Sequence, residues 1–438
     1  MTVKVIGAGL AGCEAAYKLA QSGINVELYE MKPKKFTPAH KYSGLCELVC
    51  SNSLKAERVG SAAGLLKEEM RRLGSLTMEA AEKTKVSAGG ALAVNREEFS
   101  DYVTEKITSH PNITLISEEI TEIPDGYVII ATGPLTSDAL SSSIKNLIGN
   151  DYLYFHDAAA PIVTRDSLDF NLVFEASRYD RGEADYLNCP MNKEEYIAFR
   201  NALVSAESAP LHDFEHEGHK DFKVYEGCMP IEVLAKRGED TMRFGPLKPV
   251  GLTDPRTGRR PYAVIQLRKE NNSGTLYNLV GFQTNLKFGE QKRVFSLIPG
   301  LANAEFVRYG VMHRNTYINS PGILDEHFCF IPDNRIYFAG QMTGVEGYIE
   351  SAASGIYAAM SLARKLLGKE EITLSSETML GALSKYVAYG HSADFQPMGC
   401  NMGILPELPE RIKNKQEKYE ALANRALCAL DNVIGGKL

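Results

Sequence analysis

The chain has 438 residues, of which 44% are hydrophobic and 24% are charged. At about 100–200 residues per domain, this length allows two or three domains, each with a packed core. The composition excludes a disordered tail, a collagen-like fibre and a small disulfide scaffold. With 48 Lys and Arg against 55 Asp and Glu, the formal net charge is -7, so any nucleic-acid partner must meet a local basic patch.

The cysteines and the apolar runs indicate where the protein works. Eight cysteines without a C-x-x-C pair are typical of reduced thiols in a cytoplasm rather than of a secreted disulfide framework. The longest apolar runs are far shorter than the roughly 20 residues that span a bilayer. The first residues predict a strand that starts at once, without a signal-peptide pattern. We therefore expect a cytoplasmic protein that does not bind a membrane.

The N-terminus carries a dinucleotide-binding fingerprint. Residues 4–12 predict a strand, a tight turn and the start of a helix, with Gly7, Gly9 and Gly12 in G-x-G-x-x-G spacing. The first glycine makes the turn, the second lets the backbone approach a pyrophosphate, and the third packs the helix on the strand. The next strand ends at Glu30, where an acid binds a ribose hydroxyl. The residues expected to bind the cofactor here are Ile6, Gly7, Ala8, Gly9, Leu10, Ala11, Gly12 and Glu30.

Helical and strand patterns continue after this unit. Apolar spacing predicts one helix over 61–83, and Asn95 followed by Glu98 predicts the N-cap of another helix. The runs 112–116 and 126–133 predict strands that alternate with these helices. This order is typical of a parallel sheet.

Three glycine-rich strand ends together predict a flavin site. The first is the N-terminal turn, the second is a strand that runs into Gly133, and the third is a late turn with Gly340 and Gly347 that feeds a helix of small residues. This layout resembles the FAD-binding domain of glutathione-reductase-like flavoproteins. No second G-x-G-x-x-G follows, so we expect no separate NAD(P) domain, and NAD(P)H would reduce the flavin in the open site.

The middle of the chain differs from both ends. Between about 150 and 330 Tyr, Phe and Pro become frequent, which indicates an inserted domain. The predicted fold class is α/β, a Rossmann-type FAD-binding domain with an inserted α+β domain. The predicted boundaries are 1–150 for the first part of the FAD-binding domain, 151–330 for the inserted substrate-binding domain, 331–365 for the return segment of the FAD-binding domain and 366–438 for a C-terminal helical segment.

Two cysteine environments are candidates for chemistry. Cys46 and Cys50 lie four residues apart, as neighbours on a helix face would, but the absence of a second nucleotide motif counts against a disulfide reductase. Cys228 precedes Pro230, which suits the first position of a helix. A thiol just ahead of a helix N-terminus is activated as a thiolate. A packed, inert cysteine is the alternative for Cys228.

Two charged segments are candidates for ligand binding. His212, His216 and His219 have the spacing of a metal-binding helix face, but the surrounding acids favour a solvated loop, so we expect no metal. The segments 253–262 and 308–317 combine arginine with aromatic residues, which is typical of binding to looped RNA, with a solvated charged face as the alternative. The arginines expected to contact RNA are Arg256, Arg259, Arg260, Arg308 and Arg314.

Several longer strings carry a resemblance to a known family. They are Gly7–Gly12, Tyr29–Met31, Glu47–Ser53, Gly64–Met70, Gly89–Val94, Ala131–Thr136, Tyr186–Pro190, Glu226–Glu232, Arg243–Pro246 and Gly340–Gly347. Over residues 1 to about 360, the chain resembles the TrmFO family of folate- and FAD-dependent tRNA (uracil-5-)-methyltransferases, which is related to the MnmG (GidA) flavoproteins.

The resemblance implies a reaction and roles for two cysteines. It implies methylation at C5 of the uracil at position 54 in the T-loop of tRNA, with methylenetetrahydrofolate as carbon donor and reduced FAD as reductant. It also implies that Cys228 attacks uracil C6, because a thiolate added there turns the ring into an enolate that reacts at C5. Cys50 is then the candidate base for the C5 proton. The target base must be swung out of its loop.

Alternatives from other classes stay open. One is an MnmG-like flavoprotein that modifies wobble uridine, and the string Glu226–Glu232 counts against it. Another is an FAD-containing protein that only binds RNA, and the presence of both Cys50 and Cys228 counts against that. A small-molecule flavin oxidoreductase is disfavoured by the arginine-rich inserted region.

Overall fold

The computed structural model describes residues 2–37, 39–149, 153–158, 160–180, 184–209, 229–271, 273–310, 312–390 and 395–435. For 153–158, 180 and 312–315 only the backbone is described. Cys228 and the histidines His212, His216 and His219 lie outside the described residues.

The described chain alternates strands and helices. The strands are β1 (Thr2–Ile6), β2 (Asn25–Glu30), β3 (Ser53–Ala56), β4 (Lys85–Val86), β5 (Ala91–Val94), β6 (Ile113–Ser117), β7 (Val128–Ile130), β8 (Leu153–Ala158), β9 (Ile162–Thr164), β10 (Phe174–Glu175), β11 (Tyr186–Met191), β12 (Ala263–Lys269), β13 (Leu276–Leu279), β14 (Phe306–Arg308), β15 (Met312–Tyr317) and β16 (Ile336–Phe338). The helices are α1 (Leu10–Gln21), α2 (Ala62–Arg72), α3 (Leu76–Lys83), α4 (Arg96–Thr108), α5 (Asp138–Ile148), α6 (Lys193–Ser205), α7 (Ile231–Arg237), α8 (Thr241–Phe244), α9 (Phe288–Phe295), α10 (Tyr348–Leu366), α11 (Met379–Tyr389) and α12 (Lys415–Ile434).

The first hydrophobic core is built on a parallel sheet. Its five strands have the order β16-β7-β1-β2-β6, and β16 pairs with β7 beside β1. Val3, Val5 and Ile129 are fully buried, as expected for a parallel sheet that is covered on both faces. The chain builds this sheet from both of its ends, and the predicted α/β, Rossmann-type fold is confirmed.

A second core lies on an antiparallel sheet. Its six strands have the order β10-β11-β12-β13-β9-β14. The buried residues of this core lie between Val163 and Ala304 and include Phe199, Phe282 and Phe295. Helices α6, α7 and α9 contribute to it. A separate core therefore lies within the region that the sequence marks as inserted, and the domain boundaries given above stay predictions.

The single helix predicted over 61–83 is wrong, because the structure divides it into α2 and α3. Gly74 adopts a φ of +75° after α2, and Ser75 caps α3. The buried carboxylate of Glu14 in α1 accepts the first two backbone N–H groups of α3 at 3.0 and 2.8 Å. A tertiary contact thus stabilises a helix start that apolar spacing does not show.

Two glycines allow close backbone contacts of α1: Gly355 allows contact with α10, and Gly12 allows contact with the turn after β1. A Cβ at Gly355 would lie 2.1 Å from the carbonyl oxygen of Ala11, and a Cβ at Gly12 would lie 1.8 Å from that of Gly7. Such distances exclude any side chain, so close backbone contact requires both glycines. This packing holds the N-terminal helix against the helix that follows β16.

A buried carboxylate joins α2 to α11. Glu69 is fully buried, and its oxygens accept the backbone N–H groups of Met379 and Leu380 at 2.7 and 2.9 Å. These donors belong to the first turn of α11, where the helix leaves N–H groups unpaired. Burial raises the pKa of Glu69 to about 7, although the two hydrogen bonds act in the opposite direction.

The described part of the chain lacks two kinds of feature. None of its helices has both the length and the apolar character that crossing a bilayer needs. Its His, Cys, Asp and Glu side chains form no group of three or more that could hold a metal ion.

Glu69 makes the stability of the protein depend on pH in a defined direction. Its protonated form is favoured by folding, because the folded-state pKa of about 7 lies above the ordinary value of 4.5. The resulting stabilisation is complete below about pH 4.5 and is lost as the pH rises through about 7, by up to about 3 kcal/mol. Urea unfolding between about pH 5 and pH 8 should show this loss in the wild type and a flatter profile in Glu69→Gln.

The matched control is Glu68→Gln on the same helix. Glu68 is partly exposed and pairs with Arg72 at 3.2 Å, so its replacement should leave the slope in place. A slope that Glu69→Gln does not flatten would contradict the assignment.

Candidate functional site

A cleft opens at the C-terminal ends of β1, β2 and β7. It encloses about 1330 Å³ of empty space, part of which is open to solvent. The turns after β1 and β7 and the N-terminus of α10 line it. The residues that matter below are Ile6, Gly7, Ala8, Gly9, Leu10, Ala11, Glu30, Cys46, Cys50, Gly133, Gly340 and Tyr348.

The turn after β1 has the backbone geometry of a phosphate cradle. Gly7 adopts a φ of +94° with Ala131 close behind it, whereas a Cβ at Gly9 would meet nothing within 4 Å. Gly9 is the N-cap of α1 and has no side chain to accept the first N–H groups of that helix. These groups can therefore bind an anion. Gly12 lies outside the cleft lining and packs against Gly7 instead.

Glu30 lies at the edge of the cradle, at the end of β2. Its Oε2 accepts the N–H of Ala8 at 2.9 Å, and its Oε1 accepts the N–H of Lys32 at 3.0 Å. These bonds fix the carboxylate beside the glycine turn. Each oxygen keeps further lone pairs, through which Glu30 can accept a ribose hydroxyl.

The later glycines occupy different positions. Gly133 and Gly340 line the cleft with φ angles of +69° and +83°. Gly347 is the N-cap of α10 with a φ of +123°, and a Cβ there would lie 2.2 Å from Oε2 of Glu350. The positive φ therefore favours a glycine at 347. The next residue, Tyr348, does line the cleft.

Cys50 lies at the cleft in a segment without helix or strand, residues 39–52. Its backbone N–H donates to Oη of Tyr348 at 2.6 Å, and that of Ser51 donates to the same oxygen at 3.3 Å. Burial raises the pKa of Tyr348 well above its ordinary value, so the phenol stays neutral. Tyr348 thus fixes the backbone at Cys50 to the N-terminus of α10.

Arg96 also holds this segment. Its Nη1 donates to the carbonyl oxygens of Leu48 and Val49 at 2.8 and 3.1 Å. Its Nε and Nη2 donate to the two carboxylate oxygens of Glu270 at 2.8 and 3.2 Å, and the side chains of Arg96 and Glu270 are only 14% and 4% exposed. Bidentate pairs of this kind are strong and directional. Arg96 therefore ties the Cys50 segment to the residue that follows β12.

Strand β12 supplies a second tie through Arg268. Its Nε donates to Oδ1 of Asn52 at 2.9 Å, and its Nη2 donates to Oγ of Ser51 at 2.7 Å. Asn52 in turn donates through Nδ2 to the carbonyl oxygen of Lys269 at 2.8 Å. Asn52 and Arg268 are buried, where hydrogen bonds are strongest. The Cys50 segment thus joins the N-terminus of α10 to β12 of the antiparallel sheet.

Arg308, which was expected at an RNA-binding surface, also contacts this segment. Its guanidinium donates to the carbonyl oxygen of Val49. Burial lowers the pKa of Arg308, and the nearby Arg96 lowers it further. Cys50 interacts electrostatically with both guanidinium groups, and positive charges of this kind stabilise a thiolate. A direct role of Arg308 in RNA binding stays a prediction.

The helical arrangement considered for Cys46 and Cys50 is wrong. Residues 39–52 contain no helix, and Cys46 has a φ of 53°. Cys46 is buried and interacts with Cys13 of α1. None of the cysteines in the described ranges forms a disulfide.

Arg256, Arg259 and Arg260 are not among the described residues that line the cleft. Arg256 pairs with Asp254 at 2.8 Å, whereas Arg259 and Arg260 are exposed on the same loop. Arg314 lies on β15, where only the backbone is described. Their contacts with RNA stay predictions.

Cys228 lies outside the described residues, which resume at Met229. Met229 is buried, and Pro230 is the N-cap of α7 rather than its first residue. The backbone N–H of Ile231 donates to the carbonyl oxygen of Gln283 at 2.8 Å. The helix predicted after Cys228 is therefore present, one residue later than expected.

A charged cluster at the N-terminus of α10 has no counterpart in the sequence patterns. The buried Glu350 accepts a hydrogen bond from Nζ of Lys55 at 2.6 Å and from the N–H of Cys400 at 2.9 Å. Burial and the Glu350 charge raise the pKa of Cys400, so this thiol stays protonated. These residues come from three distant segments, and only the fold brings them together.

The chain is similar to a family model and to curated tRNA methyltransferases over most of its length. The family model of glucose inhibited division protein A matches residues 2–370. The methylenetetrahydrofolate--tRNA-(uracil-5-)-methyltransferase TrmFO of Brevibacillus brevis is 58% identical over 98% of both chains. The TrmFO of Bacillus licheniformis is 59% identical over 99% of this chain and 98% of its own, and that of Staphylococcus aureus (strain Newman) is 58% identical over 98% of both chains.

Solved structures of Aquifex aeolicus GidA share the fold. Two crystal forms superpose with TM-scores of 0.68 and 0.67 at 15% identity. They cover 99% and 98% of this chain but only 73% and 75% of the GidA chains. At this identity the likeness concerns the fold alone.

The buried pair of Arg96 and Glu270 should be essential to stability. Arg96→Met leaves the Glu270 carboxylate buried without its cation, which costs about 3–5 kcal/mol of unfolding free energy. The double variant Arg96→Met/Glu270→Met should recover the part that comes from the unpaired charge. Urea unfolding measures both changes.

Arg335→Met is the matched control for the Arg96 variant. Arg335 pairs with Asp333 at the surface, with its side chain 52% exposed, so this change should cost less than about 1 kcal/mol. Equal losses for Arg96→Met and Arg335→Met would show that the buried pair is not important for stability.

Proposed function

The chain belongs to the TrmFO family, and from this membership we propose its activity. It is a folate-dependent tRNA (uracil-5-)-methyltransferase that uses FAD. The observation that carries the proposal is the 58–59% identity to TrmFO enzymes over nearly the whole of both chains. The target uracil is the one at position 54 of the T-loop.

The residues of the cleft fit FAD. The open space at Gly9 and the uncapped N–H groups of α1 suit a pyrophosphate, and Glu30 suits the adenosine ribose. Gly133 leaves open space at a further strand end, and Gly340 lines the cleft close to Ala11. Ile6, Ala8, Leu10 and Ala11 complete the lining at the first turn. Bound FAD in its reduced form supplies the reducing equivalents that convert the transferred one-carbon unit into a methyl group.

Cys228 is the proposed nucleophile. Uracil C5 reacts poorly until a nucleophile adds at C6, and addition of the Cys228 thiolate there gives an enolate with electron density at C5. Cys228 precedes α7, whose N-terminus favours a negative charge. The carbon–sulfur bond breaks again when the C5 proton has been removed and the ring restored.

Cys50 is the proposed base for the C5 proton. Its backbone is held by Tyr348, and its sulfur interacts with the charges of Arg96 and Arg308. These cations stabilise the thiolate that accepts the proton. Because hydrogen bonds with Tyr348, Arg96 and Arg268 fix the segment, the thiol is positioned before the substrate arrives.

Other parts of the proposal concern partners. Arg256, Arg259, Arg260, Arg308 and Arg314 are proposed contacts of the tRNA, through phosphate and base recognition. NADH or NADPH is the proposed source of electrons and would reach the flavin through the same solvent-open cleft. The cytoplasm, where tRNA and reduced folates are available, is the proposed location.

Transfer of radiolabel tests the activity itself. The purified holoenzyme, given labelled methylenetetrahydrofolate, NADH or NADPH and an unmodified tRNA transcript, should place the label in 5-methyluridine of the T-loop. A transcript with the target uridine replaced by cytidine is the control and should stay unlabelled. Label in the wobble uridine, or none with a tRNA-binding holoenzyme, would overturn the proposal.

Replacement of the cysteines tests their separate roles. Cys228→Ala should abolish the covalent adduct with tRNA that carries 5-fluorouracil, since no thiol adds to C6. Cys50→Ala should keep the adduct but lose methyl transfer by at least about a hundredfold, because a positioned base contributes about that much. Denaturing gels and the label assay measure the two effects.

Cys428→Ala is the control for the cysteine variants, because Cys428 is an exposed free thiol on α12. It should change neither adduct nor turnover. An undiminished adduct in Cys228→Ala would remove Cys228 from the nucleophile role.

A further inference from the structure

Phe244 is the most exposed large hydrophobic side chain among the described residues. Its ring is 83% exposed, compared with 68% for Tyr389 and 56% for Phe288. Single exposed apolar residues are common on protein surfaces, so the meaning of Phe244 depends on how it is mounted and what surrounds it.

The backbone that carries Phe244 is held in place. Phe244 ends α8, and its N–H donates to the carbonyl oxygen of Asp240 at 3.2 Å. The N–H groups of Gly245 and Leu247 both donate to the carbonyl oxygen of Met242, at 3.1 and 2.9 Å, and Met242 is fully buried. A ring on a fixed backbone loses little entropy when it binds a partner.

Phe244 is also connected to the arginine-rich loop. The guanidinium of Arg243 lies 3.6 Å from the ring centroid of Tyr262 and donates through Nε to the Tyr262 carbonyl oxygen at 2.9 Å. In the sequence, one proline separates Tyr262 from the exposed residues Arg259 and Arg260. The contact between Arg243 and Tyr262 therefore joins the segment that carries the exposed ring to the loop that carries the two exposed cations.

The same neighbourhood adjoins the start of α7, the helix that follows Cys228 in the sequence. Pro246 packs on Gly281, where a Cβ would lie 2.5 Å from the Cβ of the proline. Two residues further along, Gln283 accepts the N–H of Ile231, the first residue of α7. The segment 281–283 thus contacts both Pro246, two residues after Phe244, and the first residue of α7.

We propose that Phe244 is a stacking platform for an unpaired base of the tRNA substrate, with Arg259 and Arg260 on neighbouring phosphates. The proposal rests on the proposed function, which supplies an RNA partner. Unpaired bases in RNA loops are held by stacking on aromatic rings, and the adjacent phosphates by arginine. Arg243 is paired with Asp240 at 2.5 Å. The exposed Arg259 and Arg260 are therefore the cations that favour a polyanion over an apolar protein partner.

Binding and turnover of the holoenzyme with an unmodified tRNA transcript test the proposal. Phe244→Ala should raise the Kd and the KM for tRNA about tenfold or more. It should leave kcat at saturating tRNA, the flavin spectrum and the KM for methylenetetrahydrofolate unchanged. Phe244→Trp should restore the affinity, because any aromatic ring can stack.

Salt dependence separates stacking from charge. Phe244→Ala should keep the slope of log Kd against log salt, whereas Arg259→Ala/Arg260→Ala should reduce it by about one to two, since each lost phosphate contact removes about 0.7–0.9. Tyr389→Ala is the control, because this exposed ring lies beside the carboxylate of Glu326, and it should bind tRNA normally.

The outcomes distinguish this inference from the proposed function. A wild-type enzyme that binds tRNA but transfers no methyl group contradicts the proposed function and still allows Phe244 to be tested by binding. Unchanged tRNA affinity in Phe244→Ala overturns the platform, whether or not Tm falls. A raised KM for folate alone would also overturn it, because the ring would then serve the carbon donor.

Discussion

The geometry around Cys50 depends on one buried guanidinium. Residues 39–52 have no helix or strand, so their carbonyl groups need partners from elsewhere in the fold. Arg96 supplies donors to Leu48 and Val49, although it stands in the first turn of α4, where a helix disfavours a cation. Glu270 offsets this cost and that of burial. Glu270 follows β12, so the same ion pair links the cleft residues around Cys50 to the antiparallel sheet.

The two sheets divide the work that the proposed reaction requires. The parallel sheet offers a glycine-lined cleft, where side chains are absent at the turn of β1 and a planar, anionic cofactor can lie against the backbone. The loop before β12 of the antiparallel sheet carries the exposed Arg259 and Arg260, and α8 carries the exposed ring of Phe244. The Cys50 segment contacts the N-terminus of α10 through Tyr348 and β12 through Arg268. A base bound beside the antiparallel sheet can therefore meet a cofactor bound at the parallel sheet. The thiol of Cys50 is already positioned between them.

Local features were predictable from the sequence, and features made by distant residues were not. The turn after β1 follows from glycine spacing within six residues, and the cap at Asn95 is confirmed by its bonds to the N–H groups of Glu97 and Glu98. The break between α2 and α3 depends on Glu14, which lies 62 residues before the first N–H that it accepts. The tie between Arg268 and Asn52 spans 216 residues. Neither periodicity nor motif spacing contains such information, although Asn52 lies inside one of the strings typical of the family.

The construction of the parallel sheet from both ends of the chain has a consequence for biosynthesis. Strand β1 is synthesised long before β16, yet both strands flank β7 in the same sheet. Helix α1 likewise packs on the later helix α10 through Gly355. Contacts between residues so far apart in sequence form slowly, because a long loop must close before they are made. The antiparallel core, whose buried residues lie within 163–304, is complete earlier in translation. We therefore expect it to fold before the parallel sheet is complete, and the nascent chain to bind flavin only after β16 and α10 have been synthesised.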